Sequence, residues 1–315
     1  MYDGSGRKID YLRVSVTDRC NYRCKYCMGE DGVDKREHRD ILSYEEIAEI
    51  ARAAADCGVT KLRLTGGEPL VRRGLPDLCR QLREIPGLRE LAITTNGSLL
   101  GAYAAELRAA GVDRLNVSLD TLDPEKFRAV TRCGELSEAI GGLRAADEAG
   151  FTGTKLNTVL IGGFNEDEIP AFVALTRDRP YSVRFIELMP MGACAAWPEG
   201  RFVSADEVPR AVPALEPAGT DGVAELWRVP GWAGTVGLIR PMSRAFCARC
   251  SRLRLTADGK LKPCLHSDEE IPVRGLHGEA LTAAIREAAA QKPERHHLCE
   301  EHRSETGRNM NEIGG

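Results

Sequence analysis

The sequence predicts an α/β protein, a partial TIM-like (β/α)6 barrel followed by a C-terminal extension. Between residues 12 and 187, six short strand-like runs alternate with amphipathic stretches of helical period. This alternation requires a parallel sheet with helical crossovers. Six units are too few for a closed barrel of eight strands. We therefore predict an open partial barrel, with a doubly wound open sheet as the alternative.

The strand-like runs are short and rich in aliphatic residues. They cover Leu12–Thr17, Lys61–Thr65, Glu90–Thr95, Arg114–Ser118, Thr154–Leu160 and Ser182–Glu187. The helices between them are predicted from apolar residues at helical spacing. They cover Ser43–Cys57, Pro76–Glu84, Ala102–Ala110, Pro124–Val130, Leu136–Ala149 and Asp167–Arg177. The first helix begins with a capping-box signature, because Ser43 precedes Glu46 by three residues.

After about Gly192 the alternation stops, and Pro and Gly become frequent. We predict a barrel core over residues 1–191 and an extension over 192–315 that closes the open side of the barrel. The extension has strand candidates at Ala224–Val229 and Thr235–Ile239 and one helix at Gly278–Gln291. The last seven residues show no periodicity and by themselves predict a frayed end.

Composition excludes several classes of protein. The 315 residues have a net charge of -4 and 5% aromatic residues, which does not favour a nucleic-acid surface. The N-terminus has no secretion signal, and no apolar run is long enough to span a membrane. Eleven cysteines in such a chain indicate a reducing cytoplasm and metal or cluster ligation rather than disulfides.

The first cysteine group consists of Cys20, Cys24 and Cys27, and it directly follows the first predicted strand. Three thiolates can bind three irons of a [4Fe–4S] cluster, which leaves the fourth iron open for a small molecule. The alternative is a structural zinc ion with His38 as a further ligand.

The second cysteine group consists of Cys247, Cys250 and Cys264. It again has three thiols without an evident fourth. Its spacing does not decide between an iron–sulfur cluster and a zinc site completed by His266.

Polar residues follow several strands at the carboxyl edge of the predicted sheet, where α/β proteins bind ligands. They lie in Thr17–Asp18, Thr65–Pro69, Thr94–Gly97, Ser118–Asp120 and Glu187–Met189. In the second of these runs, Gly66 and Gly67 allow close backbone approach to a ligand, and Glu68 could meet an ammonium group. An amino-acid-like ligand on the open iron would satisfy both.

Cations are concentrated in the predicted strands and after the second cysteine group. They are Arg13, Lys61, Arg63, Lys155, Arg184, Arg252 and Arg254. Two-residue spacing directs Lys61 and Arg63 to one face of a strand, where buried cations are costly unless they meet anions. This predicts a polyanionic substrate such as a nucleoside triphosphate. There is no Walker-type loop, so backbone cradling of phosphates is not expected.

The cysteine spacing at residues 20–27, together with Gly66-Gly67-Glu68-Pro69, resembles the radical S-adenosylmethionine superfamily. Within that superfamily, Ser15–Cys20, Phe246–Cys250, Arg252–Gly259 and the Gly314-Gly315 ending resemble the family that cyclises GTP in molybdenum-cofactor biosynthesis. The resemblance covers nearly the whole chain. Gly29 departs from the family, which usually has Pro there, and Arg249 has no role that the resemblance explains.

The resemblance implies two [4Fe–4S] clusters. Cys20, Cys24 and Cys27 would bind the catalytic cluster, with S-adenosylmethionine on its free iron. Cys247, Cys250 and Cys264 would bind an auxiliary cluster in the C-terminal extension, whose open iron meets the guanine base. The residues that match S-adenosylmethionine contacts are Tyr26, Gly67, Ser118 and Met189.

The resemblance also implies a GTP site. Residues that match GTP contacts are Arg13, Arg63, Thr94, Lys155, Arg252 and Arg254, and Lys61 and Arg184 match cations near the triphosphate. Gly314 and Gly315 match a tail that reaches the active site. Together with Arg252 and Arg254, they are the catalytic candidates outside the first cysteine group.

The implied activity is that of a lyase. A 5′-deoxyadenosyl radical would take the ribose 3′ hydrogen of GTP, giving (8S)-3′,8-cyclo-7,8-dihydroguanosine 5′-triphosphate. Implied partners are GTP, a flavodoxin- or ferredoxin-type one-electron reductant, the downstream cyclic pyranopterin monophosphate synthase and, as an open expectation, a second copy in a homodimer. The alternatives are another radical S-adenosylmethionine enzyme with an auxiliary cluster, for example one that modifies a peptide, and a zinc-stabilised binding module.

Overall fold

The structure is a computed structural model that describes residues 1–32, 37–296, 298 and 304–314. Gly315, a predicted active-site residue, lies outside the described residues, as does the side chain of His38, the candidate zinc ligand.

Six parallel strands form the centre of the sheet in their sequence order. They are β1 (Tyr11–Ser15), β2 (Lys61–Thr65), β3 (Glu90–Thr95), β4 (Arg114–Ser118), β5 (Lys155–Leu160) and β6 (Ser182–Glu187). A doubly wound sheet reverses its strand order at a switch point, and this sheet has no reversal among the six. The partial-barrel prediction is therefore confirmed, and the doubly wound alternative is not.

The helices that connect these strands begin and end close to their predicted bounds. They are α1 (Tyr44–Asp56), α2 (Leu75–Arg83), α3 (Leu100–Ala109), α4 (Pro124–Thr131), α5 (Leu136–Glu148) and α6 (Ile169–Ala174). The predicted capping box of α1 forms: Glu46 N donates to Ser43 Oγ at 3.1 Å, and Ser43 N donates to Glu46 Oε2 at 2.6 Å. The prediction for the sixth helix was too long, because a 3-10 turn (Glu166–Glu168) precedes α6.

The C-terminal part adds strands to both edges of the central six. Its elements are α7 (Glu207–Ala211), β7 (Glu216–Asp221), β8 (Ala224–Arg228), β9 (Thr235–Ile239), β10 (Arg252–Leu255), β11 (Lys260–Lys262), β12 (Ile271–Pro272) and α8 (Gly278–Ala290). β10 pairs in parallel with β1, and β9 pairs in parallel with β6. The extension thus continues the sheet at both edges. A domain division after residue 191 stays a prediction.

The two faces of the central sheet differ in chemistry. On β1, Leu12 and Val14 are buried in the main hydrophobic core together with Ile47 of α1. Arg13, between them, is also buried but points to the opposite face. The apolar core therefore lies between sheet and helices, whereas the inner face of the partial barrel is lined with charged and polar side chains. Within the described part of the chain, no helix combines the length and hydropathy needed to span a membrane.

Candidate active site

A cavity of about 400 Å³ lies on the inner face of the sheet. Nearly all of the predicted site residues line it. They are Arg13, Cys20, Cys24, Tyr26, Cys27, Lys61, Arg63, Gly67, Thr94, Ser118, Arg184, Met189, Cys247, Cys250, Arg252, Arg254 and Cys264. The single cavity brings together the S-adenosylmethionine, GTP and cluster positions that the sequence predicted.

The two cysteine groups lie at opposite ends of the parallel strands, one at the carboxyl ends and the other at the amino ends. Cys20 follows the carboxyl end of β1, whereas Cys250 precedes the amino end of β10, its parallel neighbour. A strand of five residues spans about 16 Å. The site continues along the strands from their carboxyl ends to their amino ends. The expectation that ligands bind at the carboxyl ends therefore accounts for the first cysteine group only.

The first cysteine loop holds three buried or half-buried thiols that are not in disulfides. Burial raises the pKa of Cys20 to about 11 and that of Cys27 to about 12. Burial, followed by the charges of Cys27 and Asp120, raises the pKa of Cys24 as well. Thiolates are therefore costly here unless a cation stabilises them, and a metal cluster does this. The three neighbouring thiols fit such a group.

Gly66 and Gly67 are required by the cysteine loop itself. A Cβ on Gly66 would lie 2.5 Å from Thr17 O, and one on Gly67 would lie 2.3 Å from Arg19 O. Gly67 N donates to Thr17 O, and Glu68 N donates to Arg19 O, both at 2.8 Å. The glycines therefore allow two loops to pack backbone to backbone. This differs from the sequence prediction, in which they allow close approach to a ligand.

Glu68 is buried beneath this contact and lines the cavity. Its carboxylate accepts hydrogen bonds from Thr95 Oγ1 and Asn96 N at 2.7 Å and from Leu70 N at 3.1 Å. Burial nevertheless raises its pKa to about 7. Glu68 thus connects the glycine loop to β3.

Tyr26 and Asp120 form a polar pair beside the first cysteine group. Tyr26 donates to Asp120 Oδ2 at 2.6 Å, and Val159 N donates to Asp120 Oδ1 at 2.9 Å. Burial raises the pKa of Asp120 to about 6. The sequence predicts Asp120 at the ligand-binding ends of the strands, in the run Ser118–Asp120, but assigns it no particular ligand contact.

The second cysteine group is held by cations that the sequence analysis missed. Arg7 donates to Cys247 O at 2.8 Å, and Lys292 Nζ donates to Pro263 O at 2.7 Å and to Arg252 O at 2.9 Å. At Cys250, burial raises the pKa, but the charges of Lys292 and Arg252 outweigh it and lower the pKa below its usual value. The charges of Lys292 and Arg252 therefore favour the thiolate of Cys250, whereas burial raises the pKa of Cys247.

The cavity between the two cysteine groups contains buried polar atoms that need a ligand. Arg63 Nε and Thr94 Oγ1, which can donate, and Asn116 Oδ1, which can only accept, make no hydrogen bond with any described residue. Burial, followed by the charges of Arg254 and Arg63, lowers the pKa of Arg13 well below its usual value. Because unpaired buried donors and adjacent cations are both costly, an anion with many acceptor atoms fits this part of the cavity.

Lys155 and Arg184 bind a carboxylate that was not predicted. Lys155 Nζ lies 2.6 Å and an Arg184 terminal nitrogen 2.5 Å from the same oxygen of Asp221, at the end of β7. Burial, followed by the charges of Arg184 and Arg114, lowers the pKa of Lys155 to about 8. Arg184 and Asp221 therefore line the cavity, whereas Lys155 lies behind the lining and reaches it only through Asp221, and each cation has a protein partner.

The C-terminal tail enters the site. Arg254 donates to Gly314 O at 2.6 Å and to Ile313 O at 3.2 Å. Gly314 has φ +67°, and a Cβ there would lie 2.1 Å from Thr65 Oγ1, so only glycine fits. Over its described residues the tail is therefore packed rather than frayed.

The tail is anchored by an ionic network outside the cavity. The Arg308 guanidinium binds both oxygens of Asp258 at 3.0 Å and also pairs with Glu270. Planar bidentate pairing of this kind fixes orientation as well as distance. It places the tail next to the β10–β11 hairpin.

Among the described residues, no three His, Cys, Asp or Glu side chains converge closely enough to hold one metal ion. Thiolates that bind different corners of a cubane lie further apart than ligands of a single ion.

Comparison with known proteins adds independent information. Residues 14–176 match the Radical SAM superfamily, and residues 181–298 match the Molybdenum Cofactor Synthesis C family. The chain is 50% identical over its full length to the GTP 3′,8-cyclase of Peptoclostridium acidaminophilum, covering 98% of that protein. It is 52% identical to the GTP 3′,8-cyclase of Pelotomaculum thermopropionicum, with full coverage of both chains.

Among solved structures, SuiB of Streptococcus suis is similar with a TM-score of 0.60. The match covers 90% of this chain and 66% of SuiB, at 14% sequence identity. At this identity the likeness concerns the fold alone.

Proposed function

Because this chain belongs to the GTP 3′,8-cyclase family of the radical S-adenosylmethionine superfamily, we propose that it converts GTP to (8S)-3′,8-cyclo-7,8-dihydroguanosine 5′-triphosphate. The observation that carries the proposal is the shared cavity. It has three thiols at each end and buried cations between them. A reaction between an adenosyl group and a nucleotide needs both ligands in one enclosed space.

The superfamily implies a [4Fe–4S] cluster and S-adenosylmethionine. We propose that Cys20, Cys24 and Cys27 bind this cluster and that Tyr26, Gly67, Ser118 and Met189 contact S-adenosylmethionine. When bound, the pair supplies a 5′-deoxyadenosyl radical that can take a hydrogen atom from the ribose 3′ carbon. Asp120 and Glu68 are acids at this end of the cavity and suit the positive charges of S-adenosylmethionine.

For the second cysteine group we propose an auxiliary [4Fe–4S] cluster on Cys247, Cys250 and Cys264. All three thiols line the cavity, which supports one shared group there. The charges of Lys292 and Arg252 favour the thiolate form of Cys250, which a cluster requires.

The remaining task of the protein is to bind and orient GTP. We propose that Arg13, Arg63, Thr94, Lys155, Arg252 and Arg254 contact the nucleotide, with Lys61 and Arg184 at the triphosphate. Because Lys155 shares one Asp221 oxygen with Arg184, we assign Lys155 to the triphosphate as well. Buried donors without partners at Arg63 and Thr94 support this, since a nucleotide offers many acceptors. The tail residue Gly314 meets Arg254 and would limit water access to the bound substrate.

The proposal also covers the class of the reaction and the proteins that supply its electrons and take up its product. The reaction would be a lyase reaction and the first step of molybdenum-cofactor synthesis. It needs electrons from an external one-electron donor of flavodoxin or ferredoxin type. Its product would pass to cyclic pyranopterin monophosphate synthase.

The experiment that tests the proposal uses anaerobic protein reconstituted with iron and sulfide. It is incubated with dithionite, S-adenosylmethionine and GTP carrying deuterium at the 3′ carbon. We expect deoxyadenosine that contains deuterium, together with a cyclised guanosine triphosphate. Deoxyadenosine without deuterium would keep the radical chemistry but overturn GTP as the substrate. No deoxyadenosine at full iron loading would overturn the proposed activity.

A further inference from the structure

Asp221 differs from Glu68 and Asp120, the carboxylates beside the first cysteine group, in what holds it. Glu68 accepts from the backbone N–H groups of Leu70 and Asn96, and Asp120 accepts from that of Val159. Asp221 instead binds Lys155 and Arg184 through one oxygen, Oδ2. Its partners are thus two of the three cations that the proposed function assigns to the triphosphate.

The three partners are not equally free to move. The side chains of Lys155 and Arg184 are 6% and 8% exposed, and they project from neighbouring central strands, β5 and β6. The side chain of Asp221 is 46% exposed. It ends β7, an edge strand whose residues are all exposed. The cations are therefore fixed by the barrel, whereas the carboxylate comes from its periphery.

The backbone around Asp221 can bend. Gly219 has φ +101° and Gly222 has φ +61°, and the pairing of β7 with β8 shifts register between Pro217 and Gly219. A Cβ added to Gly219 or to Gly222 would meet no described atom within 4 Å. The hairpin tip thus has conformational freedom and open space on both sides of Asp221.

We propose that Asp221 is a positioning residue that occupies the place of a substrate phosphate, holding Lys155 and Arg184 in the free protein and giving them up when a polyphosphate binds. One carboxylate oxygen between two cations has the geometry of one phosphate oxygen between them. In the free protein this contact prevents two cations from lying buried and unpaired, which would be costly. A polyphosphate carries more charge and more acceptors than a carboxylate, so it can displace Asp221, whereas an uncharged nucleoside cannot.

This inference rests on the proposed function, and it makes an unusual prediction. Removing the charge of a residue at the site should increase affinity for the substrate, because the competitor of the phosphate is lost. We expect Asp221→Asn and Asp221→Ser to lower the Kd for GTP and for inorganic tripolyphosphate roughly tenfold. Guanosine binding should stay within about twofold of wild type.

The measurement is calorimetric titration of the anaerobic, cluster-loaded protein with GTP, tripolyphosphate and guanosine. Glu216→Gln is the matched control, since Glu216 is an exposed acid on the same strand, β7. It should leave all three affinities unchanged. Asp221→Glu keeps the competing charge and should stay close to wild type.

Thermal unfolding gives a second readout. Without ligand, Asp221→Asn should melt below wild type, because Lys155 and Arg184 lose their partner. Saturating tripolyphosphate should close that gap. A structural defect elsewhere would leave the gap open with ligand present, and this would overturn the inference.

Arg184→Gln separates this inference from the proposed function. Suppose that Arg184→Gln weakens GTP binding, but that Asp221→Asn and Asp221→Ser bind GTP no more tightly than wild type. The proposed displacement of Asp221 by phosphate is then wrong, whereas the proposed GTP site stands. If Arg184→Gln leaves GTP affinity unchanged, these cations do not bind the triphosphate, and both proposals fail at this position.

Discussion

Each cysteine group contains three thiols, but Cys20 of the first group and Cys250 of the second lie in opposite electrostatic surroundings. Burial raises the pKa of Cys20 to about 11, and the negative charge of Glu68 acts in the same direction. At Cys250, the positive charges of Lys292 and Arg252 outweigh burial and lower the pKa. One end of the cavity is thus lined with acids and the other with cations.

This difference matches the ligands that we propose for each end. S-adenosylmethionine carries an ammonium and a sulfonium group, which nearby carboxylates stabilise. GTP carries a triphosphate, which the cations at the middle and far end stabilise. The charge of each end therefore indicates the ligand it receives, independently of the cysteine spacing. The predictions below test this division.

The largest effect is expected at the first group. Cys24→Ala should reduce deoxyadenosine formation to background, because a buried thiol of the proposed catalytic cluster is lost. Chromatography of reaction mixtures measures the nucleoside directly. Cys133→Ala is the matched control, since Cys133 is an exposed thiol near this group and outside the triplet. Retained cleavage in the Cys24 variant would contradict the assignment.

At the second group, Cys250→Ala should separate radical formation from product formation. Iron content should fall from about eight to about four atoms per chain. Deoxyadenosine should still form, whereas the cyclised nucleotide should disappear. Iron and sulfide assays with electron paramagnetic resonance of the reduced protein check this. About four iron atoms per chain in both wild type and the variant would show that the second group holds no cluster.

The cations of the far end are tested by replacing Arg252 and Arg254 together with Ala. We expect GTP affinity to fall by roughly a hundredfold, because two charge-assisted contacts are lost. Affinity for S-adenosylmethionine should change little, and equilibrium dialysis with each ligand measures both.

Single variants and a control sharpen this test. Of these two arginines, Arg254 also binds the tail, through the carbonyls of Ile313 and Gly314. The Arg254 variant should therefore also release the tail to proteolysis, whereas the Arg252 variant should not. Arg228→Ala, at an exposed position on β8, should leave both ligand affinities unchanged. Equal losses for GTP and S-adenosylmethionine would argue against two separate ends.

The smallest expected effect is the pH dependence of GTP affinity. The pKa of Lys155 is lowered to about 8 by burial and by the neighbouring arginines. As pH rises through 8, Lys155 loses its charge, so GTP affinity should fall several-fold between about pH 7 and pH 9. Lys155→Arg should abolish this decline. Titration calorimetry in buffers of different ionisation enthalpy should also detect proton uptake on binding.

The same shift has a consequence for stability. Between pH 8 and the higher pKa of an unfolded lysine, the unfolded chain binds more protons at this position. The contribution of Lys155 to the free energy of unfolding therefore rises with pH in that window. Denaturant titrations of wild type and Lys155→Arg should diverge in this direction, and a divergence of opposite sign would contradict the lowered pKa.

Some parts of the fold were predictable from short stretches of sequence. Helix α1 was predicted to within one residue at each end, because its capping box is a local interaction between Ser43 and Glu46. The helix before β6 was predicted too long, because the tight 3-10 turn at Glu166–Glu168 precedes it. Strand β7 was missed altogether, since Glu216–Asp221 is exposed throughout and has no apolar alternation.

The sequence by itself determined the parallel order of units, the cysteine triplets and the shared face of Lys61 and Arg63. Each of these is expressed within a few neighbouring residues, where spacing alone sets the geometry. Only the tertiary structure decided that the two triplets lie at opposite ends of the parallel strands. It also decided that the tail meets Arg254 and that Asp221 meets Lys155, 66 residues away. Such contacts depend on which strands become neighbours, and no short window of sequence contains that information.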